Sequence, residues 1–127
     1  MMRIILSLSF ILLGVVAYTQ PTVGGANIEM NTTSHDFGIM AKGADATYTF
    51  IAKNTGDQPL LIERCQASCG CTVPNWDTNP IAPGASTEIT VKYDSNRLGV
   101  FSKTITVISN SVNNPQLVLS IKGEIKE

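Results

Sequence analysis

The chain has 127 residues, of which 43% are hydrophobic and 15% charged, and its formal net charge is −1. A near-neutral balance without basic clusters argues against nucleic-acid binding, where lysine and arginine contacts to phosphate dominate. It also gives no reason to expect adhesion to an anionic membrane surface, which attracts polybasic segments.

Residues 1–19 read as a secretory signal peptide. Arg3 supplies the positive start, and the 14 residues from Ile4 to Ala17 are apolar apart from Ser7, Ser9 and Gly14. A membrane anchor needs about 20 apolar residues to span the hydrocarbon core. The small residues Ala17 and Thr19 precede the turn-rich stretch Gln20-Pro21-Thr22-Val23-Gly24-Gly25, so cleavage is expected after Ala17 or Thr19. Lipid anchoring would need a cysteine there, and the first cysteine is Cys65. No later segment is apolar enough to span a bilayer. The expectation is export to the periplasm or the extracellular space, with no membrane insertion after cleavage. Residues 20–127 remain, a suitable size for one domain, with eight basic and ten acidic residues once Arg3 is gone.

Beyond the leader, apolar residues recur with period two. Two short candidates come first, Ile28–Asn31 and His35–Ile39. In the next run Tyr48, Phe50 and Ala52 share one face while Thr47, Thr49 and Lys53 take the other. Leu60 and Ile62 follow, then Ile89, Val91 and Tyr93, then Phe101, Ile105 and Val107, and finally Leu117, Leu119, Ile121 and Ile125. Successive strand side chains point to opposite faces, so each run builds one buried and one wet surface. Turn chemistry separates the runs at Asn54–Pro59, Pro80–Ala85, Asp94–Gly99 and Ser109–Pro115. No stretch of ten or more residues carries a helical stripe. The pattern predicts an all-β fold, an immunoglobulin-like β-sandwich of about seven strands. The long-range disulfide of antibody domains is excluded, because all three cysteines fall within seven residues.

Those cysteines, Cys65, Cys69 and Cys71, are the densest chemical feature of the chain. Exported proteins live where thiols oxidise, and three cysteines allow three pairings with one always left over. A Cys69–Cys71 bridge closes a very small ring, which Gly70 makes sterically feasible, and such bonds tend to be labile. Cys65 with either of the others is the gentler structural alternative. Three thiolates would also suit a soft ion such as Cu(I) or zinc, although the second Cys-x(2–4)-Cys pair of structural zinc sites is missing. Structural disulfide, redox site and metal site all stay open at this point. So does pairing of the odd cysteine with another chain.

Other catalytic signatures are scarce. Ser34-His35-Asp36 holds the letters of a triad, but adjacent side chains cannot converge as nucleophile, base and orienter. His35 reads instead as an exposed or capping residue at a strand start. There is no Gly-x-Ser-x-Gly elbow, His-Glu-x-x-His pair or phosphate loop. Trp76 reads as a core or sheet-edge aromatic rather than a ligand contact.

The order of motifs resembles a known family. His35-Asp36-Phe37-Gly38-Ile39, Asn54-Thr55-Gly56 and Pro59-Leu60-Leu61-Ile62 lead into Ser68-Cys69-Gly70-Cys71-Thr72-Val73-Pro74. Trp76, Pro80-Ile81-Ala82-Pro83-Gly84, Tyr93-Asp94 and Gly99-Val100-Phe101 follow. This series, over about residues 30 to 125, is similar to the exported bacterial family called domain of unknown function 1573, abundant in Bacteroidetes. That family is similar in pattern to the sandwiches of major sperm protein and PapD-like domains, which mostly bind proteins. The resemblance brings no catalytic residues; Cys69 and Cys71 match its cysteine motif, and Cys65 does not. It implies a non-enzymatic protein-binding or structural module of the cell envelope, with unidentified envelope partners and no cofactor. The alternative is a periplasmic thiol redox or soft-metal protein built on Cys69, Cys71 and Cys65.

Overall fold

A computed structural model describes residues 24–127, so the signal peptide expected at residues 1–19 lies outside the described part. Eight strands form two four-stranded sheets. They are β1 (Ile28–Met30), β2 (Ser34–Ala41), β3 (Thr47–Asn54), β4 (Ile62–Ala67), β5 (Thr72–Trp76), β6 (Ser86–Tyr93), β7 (Gly99–Ser109) and β8 (Gln116–Lys126). One sheet has the order β1-β3-β6-β5 and the other β2-β8-β7-β4. All pairings are antiparallel except β2 with β8, which is parallel. No described helix is long and apolar enough to cross a membrane.

The expected sandwich is therefore present, with one strand more than the seven apolar runs. The addition is β5, where Thr72, Pro74 and Trp76 turn inward while Val73 and Asn75 face out. A strand with a proline at its centre and a threonine as its best-buried residue has no apolar alternation to announce it. Its neighbours do the announcing: β5 pairs with β6 in register from Thr72↔Tyr93 to Trp76↔Ile89.

The core consists of the faces assigned by period two. Phe50, Ile89 and Val91 of the first sheet, and Ile105, Val107, Leu119 and Ile121 of the second, are fully buried. Each such side chain contributes about 1.5–3 kcal/mol by leaving water. Tyr93 stacks on Phe101 at a centroid distance of 3.8 Å and ties the sheets together near one end. The outer faces carry the Thr, Lys and Glu of each run.

Asparagine side chains brace the opposite end. Asn54, at the end of β3, is completely buried. Its Nδ2 donates to the carbonyls of Gln58 (2.7 Å) and Ile81 (2.9 Å), and its Oδ1 accepts from Gly56 N–H (3.0 Å) and Asn27 N–H (3.4 Å). Its backbone bonds Ala85 and Gly84 on the far side of the second turn. One side chain thus knots the 54–59 turn to the 80–85 turn, with every polar atom satisfied. The knot is tight enough that Gly56 has no room for a side chain: an added Cβ would lie 2.6 Å from Asn27 N and 2.9 Å from the Ala26 carbonyl carbon.

Candidate functional site

The cysteine turn lies where the chain crosses between sheets. β4 forms one edge of the second sheet and β5 one edge of the first, so Ser68–Cys71 must carry the chain across the open side of the sandwich. Both flanks are pinned to different sheets. Ser68 N–H donates to Thr104 O (2.9 Å) and Ser68 Oγ accepts from Thr104 N–H (3.2 Å), fixing the entry to β7. Asp94 N–H donates to Cys71 O (2.8 Å), fixing the exit beside β6. Between them Thr72 N–H reaches Cys69 O at 3.4 Å and closes the turn.

Cys69 and Cys71 form a disulfide with a Cα–Cα separation of 5.4 Å, within the usual range for such bonds. The two sulfurs have different surroundings. Cys69 is half-buried, and its Sγ accepts the Cys71 N–H at 3.3 Å. Cys71 is buried at 4% exposure, with Thr72 Oγ1 4.0 Å from its sulfur. Gly70 at the tip meets open space: nothing lies within 4 Å of where a Cβ would stand.

Cys65 does not join them. It points inward from β4 opposite Val107, a free thiol with 6% exposure, and burial pushes its pKa up to about 12. A thiol held protonated is a poor nucleophile at neutral pH. The bridge is therefore the small-ring option, and the pairings through Cys65 are not formed. Among the described residues, no three His, Cys, Asp or Glu side chains group in a way that could hold a metal ion.

Trp76 takes the sheet-edge role expected of it. Half-buried on β5, it donates Nε1–H to Ile62 O at 3.3 Å and so bridges the edges of the two sheets. His35, expected to be exposed or capping, is instead a half-buried strand residue. Its ring stacks on Tyr48 at 3.7 Å and meets Phe37 edge-on at 4.6 Å, while Ser34 and Asp36 are exposed on β2. The Asp36 carboxylate accepts Gly38 N–H at 2.8 Å. The three residues of the apparent triad serve separate purposes.

A second surface feature had no sequence signal. Ile39 on β2 and Val100 on β7 are 70% and 81% exposed, and both pair with Glu124 of the intervening β8. The two apolar side chains therefore belong to one row across three strands, beside Asp36 and Lys122. A β-bulge at Phe37-Gly38, where Gly38 adopts φ 68°, shifts the register that brings Ile39 to this row. From sequence, Ile39 is one more apolar strand residue and Val100 a neighbour of Phe101; only the bulge and the strand order bring them into one row, with Glu124 between them.

Residues 28–125 match the model of the family described as "Protein of unknown function (DUF1573)". The chain belongs to this family, the one its motif order resembles. No curated protein matches the chain. Among solved structures it is similar to a protein of unknown function from Porphyromonas gingivalis W83. That likeness has 21% identity and a TM-score of 0.70, over 78% of this chain and 46% of that one. The chain thus spans less than half of that protein. It is also similar to the ASH/PapD-like domain 7 of human CEP192, with 10% identity and a TM-score of 0.67, over 81% and 87% of the two chains. A third likeness is to the VesB protease of Vibrio cholerae, with 13% identity and a TM-score of 0.65, over 77% of this chain and 32% of the protease. At these identities the likeness is one of fold, and it bears out the immunoglobulin-like, PapD-like sandwich.

Proposed function

We propose that this DUF1573 domain is an exported, non-enzymatic protein-binding module of the cell envelope, and that it contacts its partner through the Ile39–Val100 row. The observation that carries this is the presence of two large apolar side chains, each at least 70% exposed, in one row on either side of Glu124. Exposed apolar residues grouped on one surface mark interaction sites more often than scattered ones do. Glu124, Asp36 and Lys122 around them supply the polar rim such contacts use. Support for the binding role comes from the PapD-like architecture, a group in which strand addition and surface docking are common. That support is analogy at the level of fold.

The export part of this reading is supported by the leader-like sequence of residues 1–19, which is consistent with the periplasm or the extracellular space. Mass measurement of the chain from the envelope fraction checks this, with a new amino terminus expected after Ala17 or Thr19. Chemical crosslinking in the native envelope, followed by affinity capture, tests the binding. One stoichiometric partner is expected with the wild type and is lost with Val100→Asp and Ile39→Asp. Retention of that partner by both variants, with the fold intact, overturns the assignment of the surface.

A further inference from the structure

We propose that the Cys69–Cys71 bridge is a thiol–disulfide exchange site for an external dithiol, attacked at Cys69 Sγ with Cys71 Sγ as the leaving group. The inference is independent of the Ile39–Val100 surface. Three observations converge on it. Cys69 is half-buried, packed against the core next to the open tip at Gly70, whereas Cys71 is buried; an incoming thiolate therefore meets the Cys69 sulfur first. The Cys71 N–H directed at Cys69 Sγ stabilises negative charge on that sulfur when it is released as thiolate. Finally, Ser68 is held to Thr104 and Cys71 to Asp94 by backbone hydrogen bonds that do not involve the bridge. With both flanks pinned, the reduced cysteines stay within bridging distance, and the bond can open and close without unfolding the domain.

The exchange balances as follows. A thiolate of the external dithiol attacks Cys69 Sγ and forms a mixed disulfide. The Cys69–Cys71 bond breaks, and its electron pair leaves on Cys71 Sγ, which takes a proton from water. The second thiolate of the donor then attacks the donor sulfur of the mixed disulfide and expels Cys69 as thiolate, which is also protonated. The donor dithiol is oxidised by two electrons to a disulfide, and the protein's bridge is reduced to two thiols; the reverse sequence restores it. Cys65, inward-facing and neutral, takes no part.

The test uses the folded chain, with glutathione as small thiol and reduced, unfolded ribonuclease A as protein dithiol. Alkylation and peptide mass mapping read the thiols while circular dichroism follows the fold. Under native conditions the bridge is expected to be reduced by excess glutathione with an unchanged spectrum. With oxidised glutathione, the Cys71→Ser variant should form its adduct on Cys69 about tenfold faster than Cys69→Ser forms one on Cys71. Exchange with reduced ribonuclease A supports the dithiol assignment, and exchange with glutathione alone overturns it. A bridge that stays oxidised until the domain unfolds, or equal adduct rates on the two sulfurs, overturns the proposal.

Discussion

Two turns at opposite ends of β6 hold this sandwich in different ways. Ahead of β6, Asn54 ties two loops by hydrogen bonds alone, buried and fully satisfied. Beyond it, Cys69 and Cys71 close a covalent ring on a turn with an open tip. Covalency suggests that the second is the stronger clamp, and the energetics say otherwise. A disulfide acts mainly by restricting the unfolded chain, and the relation that gives ~3 kcal/mol for a 15-residue loop gives only about half that for three residues. A buried asparagine with four partners carries a larger penalty for removal, because two turns lose the bonds that hold them together and part-buried polar groups lose their partners. The polar knot supports the fold, and the covalent turn is free to do chemistry.

The largest expected effect follows from Asn54. Replacing it by alanine removes four hydrogen bonds and leaves the Gln58 carbonyl and the Gly56 N–H without their partners in part-buried turns, at about 1–3 kcal/mol each, while Ile81 O keeps the Leu60 N–H; a loss of roughly 3 kcal/mol is expected. Urea unfolding of Asn54→Ala measures it directly. Were this variant less destabilised than one lacking the disulfide, the comparison of the two turns would be wrong.

Next comes Cys65, whose thiol pKa is pushed up by burial to about 12 from its ordinary 9.0. Its folded value is the raised one, so its contribution is intact below about pH 9, is lost as pH rises from there toward 12, and changes no further above that. At 1.36 kcal/mol per pH unit, the native state should lose about 2 kcal/mol between pH 9 and 10.5 through this group. The difference in unfolding free energy between wild type and Cys65→Ala across that interval isolates it, since other alkaline titrations are common to both. Equal pH slopes would mean that the thiol is not held neutral in the core.

A smaller effect is expected from the bridge. The Cys69→Ser, Cys71→Ser double variant should lose about 1.5 kcal/mol or less, and its circular dichroism should be unchanged. A loss as large as that of Asn54→Ala would make the bridge a structural staple and remove the main reason for reading it as an exchange site.

How far the sequence reveals these features depends on whether the signal is local. Phe50, Ala52, Ile89, Val91, Ile105, Val107, Leu119 and Ile121 are all buried as period two predicts, because a strand's alternation is written into consecutive residues. Asn54 is legible only as turn chemistry. Its burial depends on Ile81, 27 residues away, and nothing in Asn-Thr-Gly announces that partner. The cysteine pairing is undecided by spacing for a similar reason. It is settled by β4 turning Cys65 inward against β7, while the crossing to β5 brings Cys69 and Cys71 together at the edge. The Ile39–Val100 row needs both the bulge at Gly38 and the parallel β2–β8 pairing, neither of which apolar alternation specifies.

The smallest effect on stability, and the sharpest on behaviour, concerns Pro74 at the edge beside the cysteine turn. Asp94 N–H bonds Cys71 O, and these residues are in register with the β5–β6 pairs, so Cys71 and Asp94 occupy a hydrogen-bonded position. Alternation then puts Val73 and Asn75 in hydrogen-bonded positions and leaves the backbone of Pro74 facing the free edge. A residue without an N–H stands where an incoming strand would look for a donor, which is how proline protects a sheet edge. Pro74→Ala should cost only about 0.5–1 kcal/mol, largely through greater freedom of the unfolded chain. It should nonetheless introduce concentration-dependent association, visible in sedimentation velocity, that the wild type lacks. The exposed Val73 on the same strand would give such an association an apolar contact, so Val73→Lys in the Pro74→Ala background should reverse it. Association of Pro74→Ala that Val73→Lys does not reverse would place the new contact elsewhere. Full monomer behaviour of Pro74→Ala would show that the disulfide turn and Trp76 already shield this edge.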